Sequence, residues 1–259
     1  SQLETLSKND SDVTGVPTGF YDFDKLTSGL HPNELIIIAA RPAMGKTAFA
    51  LNLAVNAASK SDKAVALFNL EMSAEQLAMR MIAAAGGIEM NKVRTGRLEH
   101  NDWKKVNEAM SELSETNLYI EDNAGMTISE IRAKCRRLAT SDKGLGLIVI
   151  DYLQLISGSS KNEGNRVQEV SEISRSLKTM AMELKVPVVA LAQLSRSVEL
   201  RENKRPIMSD LRESGSIEQD ADIVMFLYRD DYYNKAAAEQ TDTSITELII
   251  GKHRNGGTG

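Results

Sequence analysis

Glu34-Leu-Ile-Ile-Ile-Ala-Ala-Arg-Pro-Ala-Met-Gly-Lys-Thr47 decides the fold of this chain. Its second half, Ala40 to Thr47, fits the phosphate-binding pattern G-x-x-x-x-G-K-[ST], with Ala40 in place of the first glycine. A methyl group is tolerated there because the loop at that point only leaves the strand. The first half is an unbroken aliphatic run, the composition of a strand covered on both faces. A helical pattern follows from Thr47 to Lys60. Strand, tight loop and helix bring backbone N–H groups and a helix N-terminus to one point, which makes an anion cradle. Lys46 adds a mobile positive charge for β- and γ-phosphates, and Thr47 offers a hydroxyl to Mg²⁺.

Similar runs recur along the chain. Strands are expected at 34–40, Ala64–Leu70, Asn117–Glu121, Gly146–Tyr152, Pro187–Leu194, Asp222–Arg229 and Ile245–Lys252. Helical patterns lie between them at 47–60, Ser73–Ala85, Asn101–Glu115, Thr127–Ser141 and Arg166–Lys185. Ser73-Ala-Glu-Gln76 and Thr127-Ile-Ser-Glu130 read as capping boxes where helices should begin. The alternation predicts an α/β fold with a mostly parallel central sheet flanked by helices. Residues 1–13 are polar and read as a linker or tail, leaving 14–259 as one domain. Gly15 to Asn33 is rich in turn residues, and loops are expected at Gly158–Asn165 and from about Ser195 to Ser216. The chain stops at Gly259 straight after a turn, which suggests that the last strands are missing or disordered.

With 259 residues, 42% hydrophobic and 26% charged, the chain is globular rather than disordered. A single cysteine, Cys135, excludes an intrachain disulfide, and scattered histidines give no zinc site. No apolar run reaches membrane-spanning length and no signal peptide opens the chain, so cytoplasm is the default expectation. A net charge of −5 argues against a broadly basic surface but leaves room for a local basic strip. Trp103 reads as a helix packing anchor, and Met72, Met79 and Met81 as core filler.

Leu147-Ile-Val-Ile-Asp151 is an apolar strand ending in Asp, the Walker B pattern, whose carboxylate holds the Mg²⁺ shell. Buried strands often end this way; the pairing with residues 40–47 selects the reading. Tyr152 stands where many ATPases place a glutamate, so a base must come from another strand end. Glu71, just past Ala64–Leu70, can orient and deprotonate a water at the carboxyl edge of the sheet. The alternative to this favoured reading is an acid stabilised by a helix N-terminus near Ser73. Gln193 ends another core strand and reads either as a γ-phosphate sensor or as a strand-end amide meeting water. Arg196, Arg201, Lys204, Arg205 and Arg212 form a basic cluster diluted by Glu199, Glu202 and Asp210. No aromatic lies among them, so phosphate contacts without sequence preference, or a solvated loop, are the two readings.

Together these elements resemble the RecA-like P-loop ATPases, and within them the C-terminal domain of the bacterial DnaB-type replicative helicases. The resemblance runs through Thr14-Gly-Val-Pro-Thr-Gly19, the loop at 39–47, Asn69-Leu-Glu-Met-Ser73, Ile150-Asp-Tyr-Leu-Gln154, Leu191-Ala-Gln-Leu-Ser-Arg196, Asp210 to Asp222, and Lys252-His-Arg-Asn-Gly256. An alanine at position 40 is usual in that family. The resemblance implies ATP and Mg²⁺ as cofactors. Ala43, Gly45, Lys46, Thr47, Ala48 and Arg80 would contact the nucleotide, and Thr47 and Asp151 would hold the metal. Lys46, Glu71, Asp151, Gln193 and Arg254 would be catalytic, with Glu71 activating water and Gln193 sensing the γ-phosphate. Lys252 and Arg254 would reach the nucleotide of a neighbouring subunit, and Arg212, Glu213 and Gly215 would grip the DNA backbone. A homohexamer on single-stranded DNA is implied, with primase and a helicase loader as partners. A RecA-type recombination or repair ATPase, or a nucleotide-regulated scaffold, shares much of this pattern. Duplex unwinding and DNA-stimulated hydrolysis separate the three.

Overall fold

The computed structural model describes residues 15–42, 44–158, 164–211, 215–229 and 246–258. At its centre lies β1 (Leu35–Ala40), buried at all six positions. Its side chains alternate between two cores. Leu35, Ile37 and Ala39 join one, and Ile36, Ile38 and Ala40 the other. That is why the run shows no polar alternation: neither face meets water.

Six further strands complete the sheet: β2 (Ala64–Asn69), β3 (Leu118–Glu121), β4 (Leu145–Asp151), β5 (Val188–Gln193), β6 (Ile223–Arg229) and β7 (Thr246–His253). Their spatial order is β3-β2-β4-β5-β1-β6-β7. All neighbours are parallel except β6 and β7, which are antiparallel, with Ile223 opposite His253. All seven sequence-expected strands are present.

The helices are α1 (Tyr21–Thr27), α2 (Lys46–Lys60), α3 (Ala74–Gly86), α4 (Met90–Thr95), α5 (His100–Ser114), α6 (Ile128–Ala139), α7 (Arg166–Leu184) and α8 (Gly215–Asp220). α2 buries Ala50, Leu53, Ala54, Ala57 and Ala58, the three-to-four spacing of one helix face. Its alanines let the axis lie close to the sheet, and fully burying Leu53 contributes about 2 kcal/mol. α2 and α3 pack on the face that holds Ile36 and Ile38; α6 and α7 cover the opposite face. Ser73 forms the full capping box with Gln76. Thr127 caps the backbone N–H of Glu130, but the Glu130 carboxylate accepts from the Thr127 hydroxyl instead of closing a second bond.

Three short helices depart from the sequence reading. α1 lies inside the turn-rich stretch, α4 follows Gly87, and α8 begins at Gly215 within the expected loop. Trp103 is 51% exposed, so it does not anchor α5 in the core; Val106 and Ala109 do. Met81 is buried, while Met72 and Met79 are half-buried. Among the described residues no helix is long and apolar enough to cross a membrane.

Because β1 is followed in sequence by β2, which lies beyond β5 and β4, the chain leaves a crevice where the carboxyl ends of β1, β2, β4 and β5 meet.

Candidate active site

The loop leaves β1 at Ala40 and turns into α2 at Gly45, whose φ of +82° lies in the left-handed region. A Cβ at Gly45 would touch nothing within 4 Å, so the backbone angle, not space, requires glycine. Ala43 lies outside the described residues. Lys46 and Thr47 open α2 and stand over the end of β4.

Asp151 ends β4 and is fully buried. Its Oδ2 accepts from the Thr47 hydroxyl at 3.0 Å and from Asn69 Nδ2 at 3.2 Å. Its Oδ1 lies 3.5 Å from Lys46 Nζ and has no hydrogen-bond partner. Lys46 Nζ also sits 3.7 Å from the centre of the Tyr152 ring. Burial lowers the Lys46 pKa, and the attraction of Asp151 and Glu71 offsets only part of that loss. A buried carboxylate with an orphaned oxygen beside a hydroxyl is a set of hard oxygen donors suited to Mg²⁺.

Asn69 carries no role of its own in the sequence reading, yet it organises the edge. Its Oδ1 accepts from the backbone N–H of Glu71 at 3.1 Å and of Met72 at 2.7 Å. The turn carrying Glu71 is thereby fixed to the same carboxylate that Thr47 touches. The available signal was a polar amide closing the apolar run Ala64-Val-Ala-Leu-Phe-Asn69. Glu71 itself is exposed.

Gln193 ends β5, opposite Ala40 in the parallel register. Its backbone pairs twice with one side chain, that of Gln154: Gln193 N donates to Gln154 Oε1, and Gln154 Nε2 donates to Gln193 O, both at 3.2 Å. Arg166 Nη2 donates to the Gln154 carbonyl at 2.6 Å. The amide continues the β4–β5 ladder beyond the last strand pair, Ile150 with Ala190, and so sets the height of Gln193. Beside it, Arg41 Nη1 donates to the Leu194 carbonyl at 2.7 Å, Arg41 Nε to Glu199 at 3.1 Å, and Leu194 N to the Ala40 carbonyl at 3.0 Å. The phosphate loop and the segment after Gln193 are thus clipped together.

Ala48 and Arg80 share a cleft of about 500 Å³ between α2 and α3, with Leu51, Asn52 and Met81 in its wall.

Lys252 and Arg254 are not gathered with the others. Arg254 bonds to Asp222, and Asp222 in turn bonds to Leu35, the first residue of β1. The phosphate loop leaves β1 at its other end, roughly 16 Å away at ~3.3 Å per strand residue.

Gly215 opens α8 and is exposed; Arg212 and Glu213 lie outside the described residues. The basic cluster reads differently in three dimensions. Arg201 holds the buried Asp210 through both terminal nitrogens, one at 2.9 Å. Lys204 donates to the carbonyls of Glu199 and Arg201, both at 3.1 Å. Arg205 pairs with Glu247 at 2.9 Å. Arg201 and Lys204 brace their own segment, Arg205 ties it to β7, and Arg196 is exposed.

A family model described as DnaB-like helicase C-terminal domain matches residues 15–259. The replicative DNA helicase DnaC of Bacillus subtilis is 59% identical over 257 residues, covering 99% of this chain and 56% of that protein. The chain therefore spans about half the length of the curated relatives it matches. Among solved structures, one described as an ATPase domain superposes with a TM-score of 0.93 at 45% identity, over 100% of this chain and 90% of that one. A DnaB-like replicative helicase, described with its interactions with primase, gives 0.91 at 45% identity, over 100% and 61%. The loop into α2, the Asp-terminated β4 and the continuous match across the sheet have one outcome: this chain belongs to the DnaB-like helicase C-terminal domain family.

Proposed function

We propose that this chain is the ATP-hydrolysing motor of a replicative DNA helicase, acting in the cytoplasm as a homohexameric ring that draws single-stranded DNA through its centre. Residues 14–259 serve as the motor unit and 1–13 as its linker. The observation that carries the reading is the convergence of Lys46, Thr47 and Asn69 on the buried Asp151 carboxylate.

In this reading Gly45, Lys46, Thr47 and Ala48, with Ala43 and Arg80, cradle the nucleotide. Thr47 and Asp151 would hold the shell of Mg²⁺, which would supply positive charge against the triphosphate. Lys46 brings its ammonium to the β- and γ-phosphates. Glu71 accepts a proton from water as the water oxygen bonds to the γ-phosphorus. The bond from that phosphorus to the bridging oxygen breaks, and ADP departs. Gln193, held at fixed height by Gln154, reports the γ-phosphate to the segment that follows it. Lys252 and Arg254 complete the site of the adjacent subunit, consistent with their distance from their own phosphate loop. Arg212, Glu213 and Gly215 take the DNA backbone. Primase and a helicase loader are the expected partners; a solved relative described with primase supports the first.

The test pairs two variants. Lys46→Ala is expected to abolish turnover. Glu71→Gln keeps nucleotide binding and loses hydrolysis, because the amide cannot accept a proton. Near-wild-type hydrolysis by Glu71→Gln would place the base elsewhere. Processive duplex unwinding, as opposed to strand exchange, distinguishes a helicase from a recombination ATPase.

A further inference from the structure

The amino ends of the strands carry a second groove, at the opposite edge of the sheet from the phosphate loop. It holds about 320 Å³ and opens where Lys63 leads into β2, Leu145 and Gly146 begin β4, and Val186 and Pro187 lead into β5. Val16 and Leu30, joined by an antiparallel bridge ahead of β1, line it as well. Leu30, Leu145, Val186 and Pro187 are buried and give the groove an apolar floor. Two glycines let its walls approach closely. A Cβ on Gly15 would lie 2.5 Å from the Leu30 carbonyl oxygen, and one on Gly146 would lie 3.0 Å from the Lys63 Cβ. Three of the chain's five prolines, Pro17, Pro32 and Pro187, also stand in the lining. Their fixed φ keeps the groove in one shape, so little backbone freedom is lost when a ligand settles there.

The rim is cationic. Lys60, Lys63 and Lys185 line the groove, and no carboxylate does. All three are exposed, and among the described residues none of their ammonium groups meets a carboxylate or a hydrogen-bond acceptor. Elsewhere in this chain of 36 acidic and 31 basic residues, Lys46, Lys92, Lys134 and Lys178 each meet a carboxylate. An apolar floor under a rim of one sign calls for a ligand with both an apolar side chain and carboxylates. No aromatic residue lines the groove, so a nucleic acid strand would gain no base stacking and would leave the floor uncovered.

We propose that this groove docks a short acidic segment of a partner protein, in which an aliphatic or aromatic side chain is flanked by Asp or Glu. The carboxylates meet Lys60, Lys63 and Lys185, and the apolar side chain covers Leu30, Leu145 and Val186. The length of β5 separates the groove from Gln193 by roughly 16 Å at ~3.3 Å per strand residue. The partner therefore leaves the crevice at the carboxyl ends of the strands free.

The test is fluorescence anisotropy on the full-length protein with a fluorescein-labelled peptide of alternating Asp and Leu. Binding at low salt is expected, weakening as NaCl rises. Lys60→Gln, Lys63→Gln and Lys185→Asn combined should weaken it about tenfold, the product of three exposed ion pairs of roughly twofold each. Asparagine is chosen at 185 because that residue has a φ of +56°, which asparagine tolerates. An unchanged Tm shows that the triple variant is folded. Lys25, Lys104 and Lys105, exposed and outside the groove, provide a control triple of equal charge; changing them to Gln should leave binding within twofold of wild type. Peptides of alternating Ser and Leu, or Asp and Ser, should each bind more weakly, because each lacks one half of the match. Absence of binding to the wild type, as when a neighbouring subunit or the chain's own preceding residues cover the groove, overturns the proposal. So does an equal loss in the control triple, or equal affinity for the three peptides. If oligo-dT loses as much affinity as the peptide in the groove variant, the rim belongs to nucleic acid and the proposal also fails.

Discussion

Replacing Asn69 with alanine tests how the proposed catalytic edge is held. The wild-type amide donates to Asp151 Oδ2 at 3.2 Å and accepts from two backbone N–H groups, at 3.1 and 2.7 Å. Alanine removes all three bonds and leaves the site otherwise covered. A hydrogen bond to a buried carboxylate contributes about 1.5–3 kcal/mol, and each neutral bond about 0.5–1.5. The backbone donors lie at exposed Glu71 and half-buried Met72, so water replaces part of their loss. The net cost comes to about 2–4 kcal/mol. For a chain of this length that lowers Tm by roughly 5–15 °C. In the proposed reading Glu71, freed from its turn, loses its aim at the water, and kcat falls about 100-fold. Nucleotide affinity changes little, because Gly45, Lys46 and Thr47 are untouched. Scanning fluorimetry, steady-state ATP turnover and titration with a fluorescent ATP analogue read the three quantities. An Asn69→Ala protein that melts with the wild type and turns over ATP within twofold of it would refute this account.

Three further outcomes are expected. Burial pushes the Cys135 thiol up to about 12, so below that pH it stays protonated and unreactive. Iodoacetamide at pH 8 should alkylate it only after unfolding, as intact-mass spectrometry would show. Arg201→Ala should cost about 1–3 kcal/mol by leaving buried Asp210 short of a donor, with no change in the salt dependence of single-stranded DNA binding. In the proposed reading Arg212→Ala should reduce the log–log salt slope of that binding by about one.

The strands were legible because a sheet covered on both faces demands uninterrupted apolar runs, and β1, β4 and β5 supply them. The phosphate loop was legible because its chemistry is local: Gly45, Lys46 and Thr47 are consecutive. What failed was non-local or too short to show a period. α4 buries none of its side chains, so nothing in Met90–Thr95 marks a face. α1 has Phe20 at its N-cap with no side-chain capping bond, and Thr18 and Gly19 ahead of it read as turn. The cluster at 196–212 stayed open between phosphate contacts and a solvated loop, because the sequence shows the acids near it but not which cation each one meets. Arg201 meets Asp210 nine residues on, and Arg205 meets Glu247 on β7. Gln154 and Gln193 lie 39 residues apart, Asn69 and Asp151 82, and Asp222 and Leu35 187, so their pairings appear only once the sheet order is known.

The place of β1 between β5 and β6 also bears on how the chain is made. Arg41 and Leu194, bonded across the β1–β5 seam, are 153 residues apart, and Leu35 and Asp222 are 187 apart. At ribosomal rates of ~5–20 residues per second, β1 leaves the tunnel roughly 8–40 s before the strands that flank it exist. Through that interval Leu35-Ile-Ile-Ile-Ala-Ala40 is a six-residue segment of high strand propensity, without charge or proline, which is the profile of a cross-β nucleus. Glu34 on one side and Arg41-Pro42 on the other break it at both ends, acting as gatekeepers against pairing between nascent chains. In the finished protein Arg41 bonds Leu194 and Glu199; on the ribosome the same charge keeps β1 apart from its own copies until β5 and β6 arrive.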